Sequence, residues 1–217
     1  MAKTKKKQKS DTELAMDEGI KLIRKHPVFA LLHINYSEKN WKASAESAAK
    51  VCTNGSVYLN SNCERTPKEW AYIIAHCQLH LVFGHFDKEK VPGKGDRDFN
   101  KKVWNQACDI YIARFLSEVK IGTAPFGLNG NIVPGNLETE EEIYEYLIEN
   151  PLEEGQLGVA GKSYMDMEWD KNQTTYSRSD SYRDSFNRAV THSVYKTITL
   201  ISGENDKRRS PVLDAAK

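Results

Sequence analysis

The segment from Thr66 to Gly84 constrains the fold of this chain most strongly, because it carries signals for both ends of one helix. Thr66 suits the N-cap, Pro67 suits the first helical position, and Glu69 lies where a capping box needs an acidic residue. Gly84 suits the position just after the last helical turn. The residues between are mostly apolar, so we predict a buried helix from about Pro67 to Phe83.

Strand signals precede this helix. The dipeptide Asn-Gly at positions 54 and 55 separates the β-forming segments Val51–Thr53 and Val57–Leu59, which is a strong hairpin signal. The continuous apolar run Phe29–Tyr36 has the length of a strand. We therefore predict a small sheet in the first third of the chain.

Helical periodicity marks four further segments. Apolar residues recur at helical spacing in Asp11–Lys25 (with Asp11 as its N-cap), Phe99–Glu118, Glu138–Glu149 and Ser179–Leu200. The stretch Pro151–Thr175 is polar and irregular. Strands grouped near the front, with helices behind them, predict an α+β fold and not an alternating βαβ array.

The composition gives no reason to expect nucleic acid or a membrane as partner. The chain of 217 residues has 31 basic and 30 acidic side chains, a net charge of +1. No apolar run approaches the roughly 18 residues that a bilayer span needs. Five lysines between positions 3 and 9 form a basic run without interleaved aromatic residues, which we interpret as a solvated tail over residues 1–10.

The chain has no signal-peptide pattern, and its four cysteines show no C-x-x-C spacing. We therefore expect a cytoplasmic protein with reduced thiols. We expect residues 11–202 to form one domain, and residues 203–217 to be a linker or the truncated start of a following domain.

The residues with the clearest chemistry are His76 and His80. They are four positions apart on the predicted helix, so their side chains lie one turn apart on one face. Two imidazoles placed in this way chelate a divalent cation at little ordering cost, which is the basis of the H-E-x-x-H pattern. Where that pattern has its glutamate, this chain has Cys77. The alternative is a pair of structural histidines, because a bare H-x-x-x-H is a weak signal.

Two residues are candidates for a third ligand. Asp109 is embedded in an apolar stretch, where a carboxylate requires a partner. His85 follows the helix-ending Gly84 and reaches the ion only if the chain breaks there. We prefer Asp109, with His85 as an alternative ligand or as a partner of the ligands. Two histidines and one carboxylate leave a fourth position for water, as a hydrolytic zinc site requires.

Two motifs together resemble a known family. The stretches Ile74–His85 and Trp104–Leu116 resemble, in that order, the H-E-x-x-H-x-x-x-G-H and W-N-x-A-x-D motifs of a bacterial metallopeptidase-like domain that usually precedes a von Willebrand A-like domain. The resemblance implies a zincin-like fold, in which a small sheet packs on the metal-binding helix. It also implies zinc as cofactor and hydrolysis of peptide bonds in a peptide or protein substrate.

The same resemblance implies roles for particular residues. His76 and His80 would be zinc ligands, Asp109 a candidate third ligand, and Asn105 a supporting polar residue beside the site. The departure from the family pattern is Cys77, since a thiol cannot place a carboxylate on the attacking water. Loss of a general base typically costs about 10²–10⁴-fold in rate. We therefore expect hydrolytic activity to be reduced or lost, or to use another base.

Several interpretations of Cys77 stay open. It would be a thiolate that ligates the cation, an oxidation-sensitive residue, or a small buried apolar side chain. Two functions compete with a metallopeptidase-like domain. The first is a non-catalytic protein-interaction module that zinc stabilises, and the second is a helical interaction domain without metal.

Overall fold

In the computed structural model of the protein, the described residues are 9–30, 32, 36–38, 48–87, 90–92, 99–125, 130–152, 165–169 and 188. They form an α+β fold, which confirms the predicted class; the zincin-like fold stays a prediction. The helices of this part of the chain are α1 (Asp11–Lys25), α2 (Pro67–Val82), α3 (Lys101–Val119) and α4 (Glu140–Glu149), and its strands are β1 (Tyr36–Glu38), β2 (Ala49–Cys52), β3 (Val57–Leu59) and β4 (Met167–Glu168).

Helix α2 lies at the centre of the fold, as its apolar sequence predicted. Its N-terminus has a complete capping box, in which the Thr66 side chain accepts from the Glu69 backbone and the Glu69 carboxylate accepts from the Thr66 backbone. Gly84, just past its end, has a φ of 69°. Every residue from Trp70 to Val82 is buried, because α1, α3 and β2 pack around the helix. The predicted bounds of α2 are confirmed to within one residue.

Helix α1 crosses α2 at close range because Gly19 faces it without a side chain. A Cβ atom at Gly19 would overlap the Cβ of Trp70 and would lie 3.0 Å from the carbonyl oxygen of Pro67. The bounds predicted for α1 are confirmed, but its N-cap is Ser10 and not Asp11. Ser10 is the N-cap because its hydroxyl accepts a hydrogen bond from the backbone N–H of Glu13. The Glu13 carboxylate in turn accepts a hydrogen bond from the backbone N–H of Ser10.

The sheet has the strand order β1-β3-β2-β4 in the described part of the chain. Strands β2 and β3 form the predicted antiparallel hairpin, and Gly55 in its turn has a φ of 78°. Strand β4 runs parallel to β2 at the edge, with Met167 opposite Val51. The segment Pro151–Thr175 is thus not wholly irregular as predicted, since it contributes a short strand that lies beside the central hairpin.

The strand predicted from Phe29 is wrong at its start. Residues 27–30 form a turn in which the backbone N–H of Ala30 donates to the carbonyl of His26 over 2.8 Å. Phe29 is buried in the core although it does not belong to a strand. A short apolar run does not distinguish a buried strand from another buried segment. Strand β1 begins at Tyr36.

Of the helices predicted after α2, two are confirmed and one lies almost wholly outside the described residues. Helices α3 and α4 begin two residues after the predicted Phe99 and Glu138, and Ile143, Tyr144 and Leu147 of α4 are buried as predicted. The predicted helix Ser179–Leu200 lies outside the described residues except for Arg188, which is helical. Most of the basic tail and all of residues 203–217 also lie outside them. Within the described residues, no helix combines the length and apolar character needed to cross a bilayer.

Candidate metal centre

His76 and His80 project from the same face of α2 into the interior. Their Nε2 atoms are 2.9 Å apart, and neither side chain has any exposed surface. The geometry follows from the sequence, because residues four positions apart on a helix lie one above the other. Both imidazoles therefore present a ring nitrogen to one point inside the fold.

Asp109 reaches the same point from helix α3. Its Oδ1 lies 3.1 Å from Nε2 of His76 and 3.3 Å from Nε2 of His80. Its other oxygen, Oδ2, accepts a hydrogen bond of 2.8 Å from the side-chain amide of Asn105, one turn earlier on α3. Asn105 thus holds the carboxylate in the orientation in which Oδ1 faces the two histidines.

Asp166 is a fourth member of the group that the sequence reasoning missed. Its Oδ2 lies 2.8 Å from Nε2 of His76 and 3.5 Å from Nε2 of His80. The residue directly precedes β4, and its carbonyl accepts from the backbone N–H of Val51 over 2.8 Å. The next residue, Met167, donates its N–H to the Asn105 side-chain oxygen over 2.9 Å. Asn105 therefore contacts both the Asp109 side chain and the strand that carries Asp166.

Five of the six distances between the donor atoms of these four side chains are close to those of a tetrahedral metal site. One donor atom from each residue lies within 4.8 Å of the others, and the distances given above run from 2.8 to 3.5 Å. Zinc bonds of about 2.0–2.1 Å in a tetrahedron separate the donor atoms by about 3.3 Å. The donor set therefore fits a single four-coordinate cation.

The hydrogen bonding of Asp166 also fits a cation. Both of its carboxylate oxygens are buried and lack a hydrogen-bond partner among the described residues, because the close approach to His76 does not have hydrogen-bond alignment. A buried carboxylate without hydrogen bonds is costly, and a coordinated ion would satisfy its oxygens.

The charges of the group are strongly coupled. Burial by itself lowers the pKa of His76, but the Asp166 carboxylate and the hydrogen bond to Asp109 outweigh burial and raise it to about 9. Burial also lowers the pKa of His80, but the Asp166 carboxylate and the hydrogen bond to Asp109 outweigh burial there too and raise the pKa. Burial would raise the pKa of Asp166, but the two histidines hold it well below its usual range. Two buried carboxylates thus require positive charge, which protonated imidazoles or one divalent cation would supply.

His85 lies behind His80 and is not a member of the four-residue group. Its Nδ1 is 2.9 Å from Nδ1 of His80, and its Nε2 is 2.9 Å from Oε1 of Glu140. The chain turns back at Gly84, whose positive φ ends the helix and places the His85 ring on the far side of His80. Burial, followed by the charge of His80, lowers the pKa of His85 to about 3 against the opposing contact with Glu140.

Cys77 is fully buried and is not part of the group. Burial raises the pKa of its thiol well above the usual value, and the charges of Asp166 and Asp109 add to the effect. A thiol in such surroundings stays protonated and behaves as a small apolar side chain. No carboxylate therefore stands at the position that the H-E-x-x-H pattern gives to the general base.

We compared the chain with protein-family models, with curated proteins and with solved structures, and none of the three comparisons gave a match. The resemblance to the metallopeptidase-like family therefore stays a prediction that rests on its two motifs.

Proposed function

We propose that this chain is a zinc-binding, metallopeptidase-like domain in which the ion stabilises the fold and hydrolysis is impaired. The ligands would be His76, His80, Asp109 and Asp166. The observation that carries the proposal is that four buried side chains each bring one donor atom within 4.8 Å of the others. Structural zinc sites have four protein ligands, whereas catalytic sites keep one position for water.

Zinc is the divalent ion that this donor set favours. Imidazole and carboxylate both suit it, and it accepts four ligands in a tetrahedron. Calcium takes six to eight oxygen ligands, and magnesium demands an octahedron and keeps several waters. A buried group with two nitrogen donors and no exposed side chain offers neither arrangement.

The balance of charge also favours a structural role. Asp109 and Asp166 together carry two negative charges, which neutralise a divalent ion. A set of two histidines and one carboxylate would leave a net charge of +1, and that charge makes the ion a stronger Lewis acid. The additional carboxylate therefore decreases the catalytic power of the centre, in the same direction as Cys77.

Hydrolysis is the second candidate function, and one observation favours it. His76, His80 and Asp109 lie on long packed helices, whereas Asp166 borders a two-residue edge strand. If β4 detached, three ligands and one open position would remain, the arrangement of a catalytic zinc site. Bound zinc would supply Lewis acidity there, and the displaced Asp166 carboxylate would be the available base.

The metal content of the purified chain tests the proposal. Protein prepared without added metal should contain one zinc per chain by mass spectrometry. Chelation should lower the melting temperature, and zinc, but not magnesium, should restore it. Protein that contains no metal, and whose melting temperature does not respond to zinc, would instead support the metal-free interaction domain.

Cobalt substitution separates the two candidate functions. A closed site should give the intense visible bands of tetrahedral cobalt, and small anions such as azide should leave the spectrum unchanged. An open site would bind the anion, and its spectrum would shift on titration. A shift in the wild-type chain would overturn the structural role and favour hydrolysis.

A further inference from the structure

A line of polar contacts runs from the metal centre to the edge of the core. It starts at His80, passes through His85 and Glu140, and ends at Lys90, whose ammonium group lies 2.8 Å from Oε1 of Glu140. The first three side chains are buried, and Lys90 is partly exposed. The line uses residues that the four-residue group does not, and it enters the group through the far nitrogen of His80.

The protons along this line follow from the types of atom in contact. Glu140 is a carboxylate held by an ammonium group, so it accepts, and Nε2 of His85 must donate to it. The Lys90 charge already balances Glu140, so His85 is neutral and its Nδ1 is an acceptor. The 2.9 Å contact between the two Nδ1 atoms then requires the proton to be on Nδ1 of His80.

In the neutral ring of a metal-bound His80, this assignment leaves the lone pair of Nε2 free. Nε2 is the atom that lies 3.3 Å from Asp109 and 2.9 Å from Nε2 of His76, and it faces the proposed ion. The opposite tautomer would place a proton on Nε2 and prevent coordination. The ring orientation and the tautomer of a metal ligand are set by the partner of its other nitrogen.

The surroundings of the line fix it in place. The indole N–H of Trp104 donates to the carbonyl of His85 over 3.0 Å, and Lys90 donates to the carbonyl of Phe83 over 3.0 Å. Glu140 is the first residue of α4, whose N-terminus favours a negative charge. Each of these contacts holds a backbone or side chain of the line independently of any metal.

We propose that Glu140, acting through His85, is a positioning residue of the metal centre that selects the metal-binding tautomer of His80. The inference rests on the proposed zinc centre and assigns His85 and Glu140 a role outside the ligand set. Lys90 completes the arrangement, since its ammonium group donates to the same Glu140 oxygen that Nε2 of His85 contacts.

Zinc affinity of a matched pair of variants tests the inference. Glu140→Gln keeps the shape of the side chain but presents an amide that donates as well as accepts. Glu145→Gln makes the same change at an exposed position of the same helix. Competition with a coloured chelator should show zinc bound about 10- to 100-fold more weakly by Glu140→Gln, the usual cost of losing such a partner. Glu145→Gln should bind as the wild type does.

The outcomes separate the two proposals. If the wild type binds no zinc, the proposed function fails and the inference fails with it. If the wild type binds zinc and Glu140→Gln binds equally well, the inference is overturned while the zinc centre stands. An equal loss in both variants would indicate a general charge effect and would also overturn the inference.

Nitrogen NMR of the zinc-loaded wild type gives a second test that does not depend on the variant folding. The ring shifts should place a proton on Nδ1 of His80 and a proton on Nε2 of His85. A proton on Nδ1 of His85 would reverse the line of donors and contradict the inference. A merely structural role of Glu140 would not fix these two tautomers.

Discussion

The two halves of the candidate metal centre are built on different kinds of support. His76, His80 and Asp109 lie on α2 and α3, helices of 16 and 19 residues that pack against each other in the core. Asp166 borders a two-residue strand at the edge of the sheet, and its position depends on a few hydrogen bonds from its own and neighbouring backbone. Under the proposed function, we expect the helices to supply most of the affinity for the ion and the edge strand to close the site.

The largest effect should come from the helical half. His76→Ala removes one donor and leaves two buried carboxylates with too little positive charge. We expect zinc binding to be lost and the free energy of unfolding to fall by about 3–5 kcal/mol, the usual cost of breaking a buried charged pair. Metal analysis and urea denaturation measure the two quantities, with His26→Ala at the end of α1 as a control. Retention of one zinc per chain would contradict the ligand assignment.

The double variant Cys77→Glu, Asp166→Ala should show whether Asp166 blocks hydrolysis by occupying the fourth position. Cys77→Glu restores the missing base but leaves Asp166 in the fourth position, so we expect no peptide cleavage from it alone. Adding Asp166→Ala opens that position, and cleavage of a fluorogenic peptide library should rise by about 10²-fold or more. Circular dichroism checks that both variants fold. Cleavage by Cys77→Glu alone would show that Asp166 does not close the site.

Asp166→Asn should have a smaller effect than His76→Ala. The three helical donors remain, so zinc should still bind, but about 10- to 100-fold more weakly, since each 1.4 kcal/mol of lost interaction is a factor of ten. Asp17→Asn makes the same chemical change at an exposed ion pair with Lys9 and should leave zinc affinity unchanged. A complete loss of zinc in Asp166→Asn would mean that both halves contribute equally.

The smallest effect is a dependence on pH. In the absence of metal, the raised pKa of His76 contributes stability that is fully present below its unfolded value of 6.5 and is lost as the pH rises through about 9. Zinc replaces those protons, so the gain in melting temperature on adding zinc should grow between pH 6.5 and 9. Calorimetry with and without zinc measures it. A gain that falls with rising pH would contradict the exchange of protons for metal.

The helical half could be predicted from the sequence because its signals are local. The caps of α2 fix its ends, the spacing of His76 and His80 fixes their common face, and the apolar surroundings of Asp109 indicate a buried partner. The structure brings these three side chains together. The remaining candidate, His85, depended on the backbone angle at Gly84, which sequence spacing does not determine.

The strand half could not be predicted for physical reasons. Residues 165–169 alternate apolar and polar side chains, which suggests a strand, but Asp166 and Met167 are adjacent and both buried. The Asp166 side chain faces the two histidines of α2, whereas the backbone of Met167 pairs with β2 and donates to Asn105 of α3. The alternation indicates a strand, but it does not indicate that this strand pairs with β2, which lies far away in the sequence, or that Asp166 approaches α2. The contact between Glu140 and His85 is also long-range, and the sequence places Glu140 only in the first turn of a predicted helix.

The position of β4 at the sheet edge also determines how an ion would enter and leave. Passage through the helices would require the packed core around α2 to open. Among the described strands, β4 lies at the edge of the sheet and pairs with β2 alone, and edge elements often open in local fluctuations of low free energy. The rate of zinc exchange should therefore follow the opening of this strand, even where the equilibrium affinity is set by the helices.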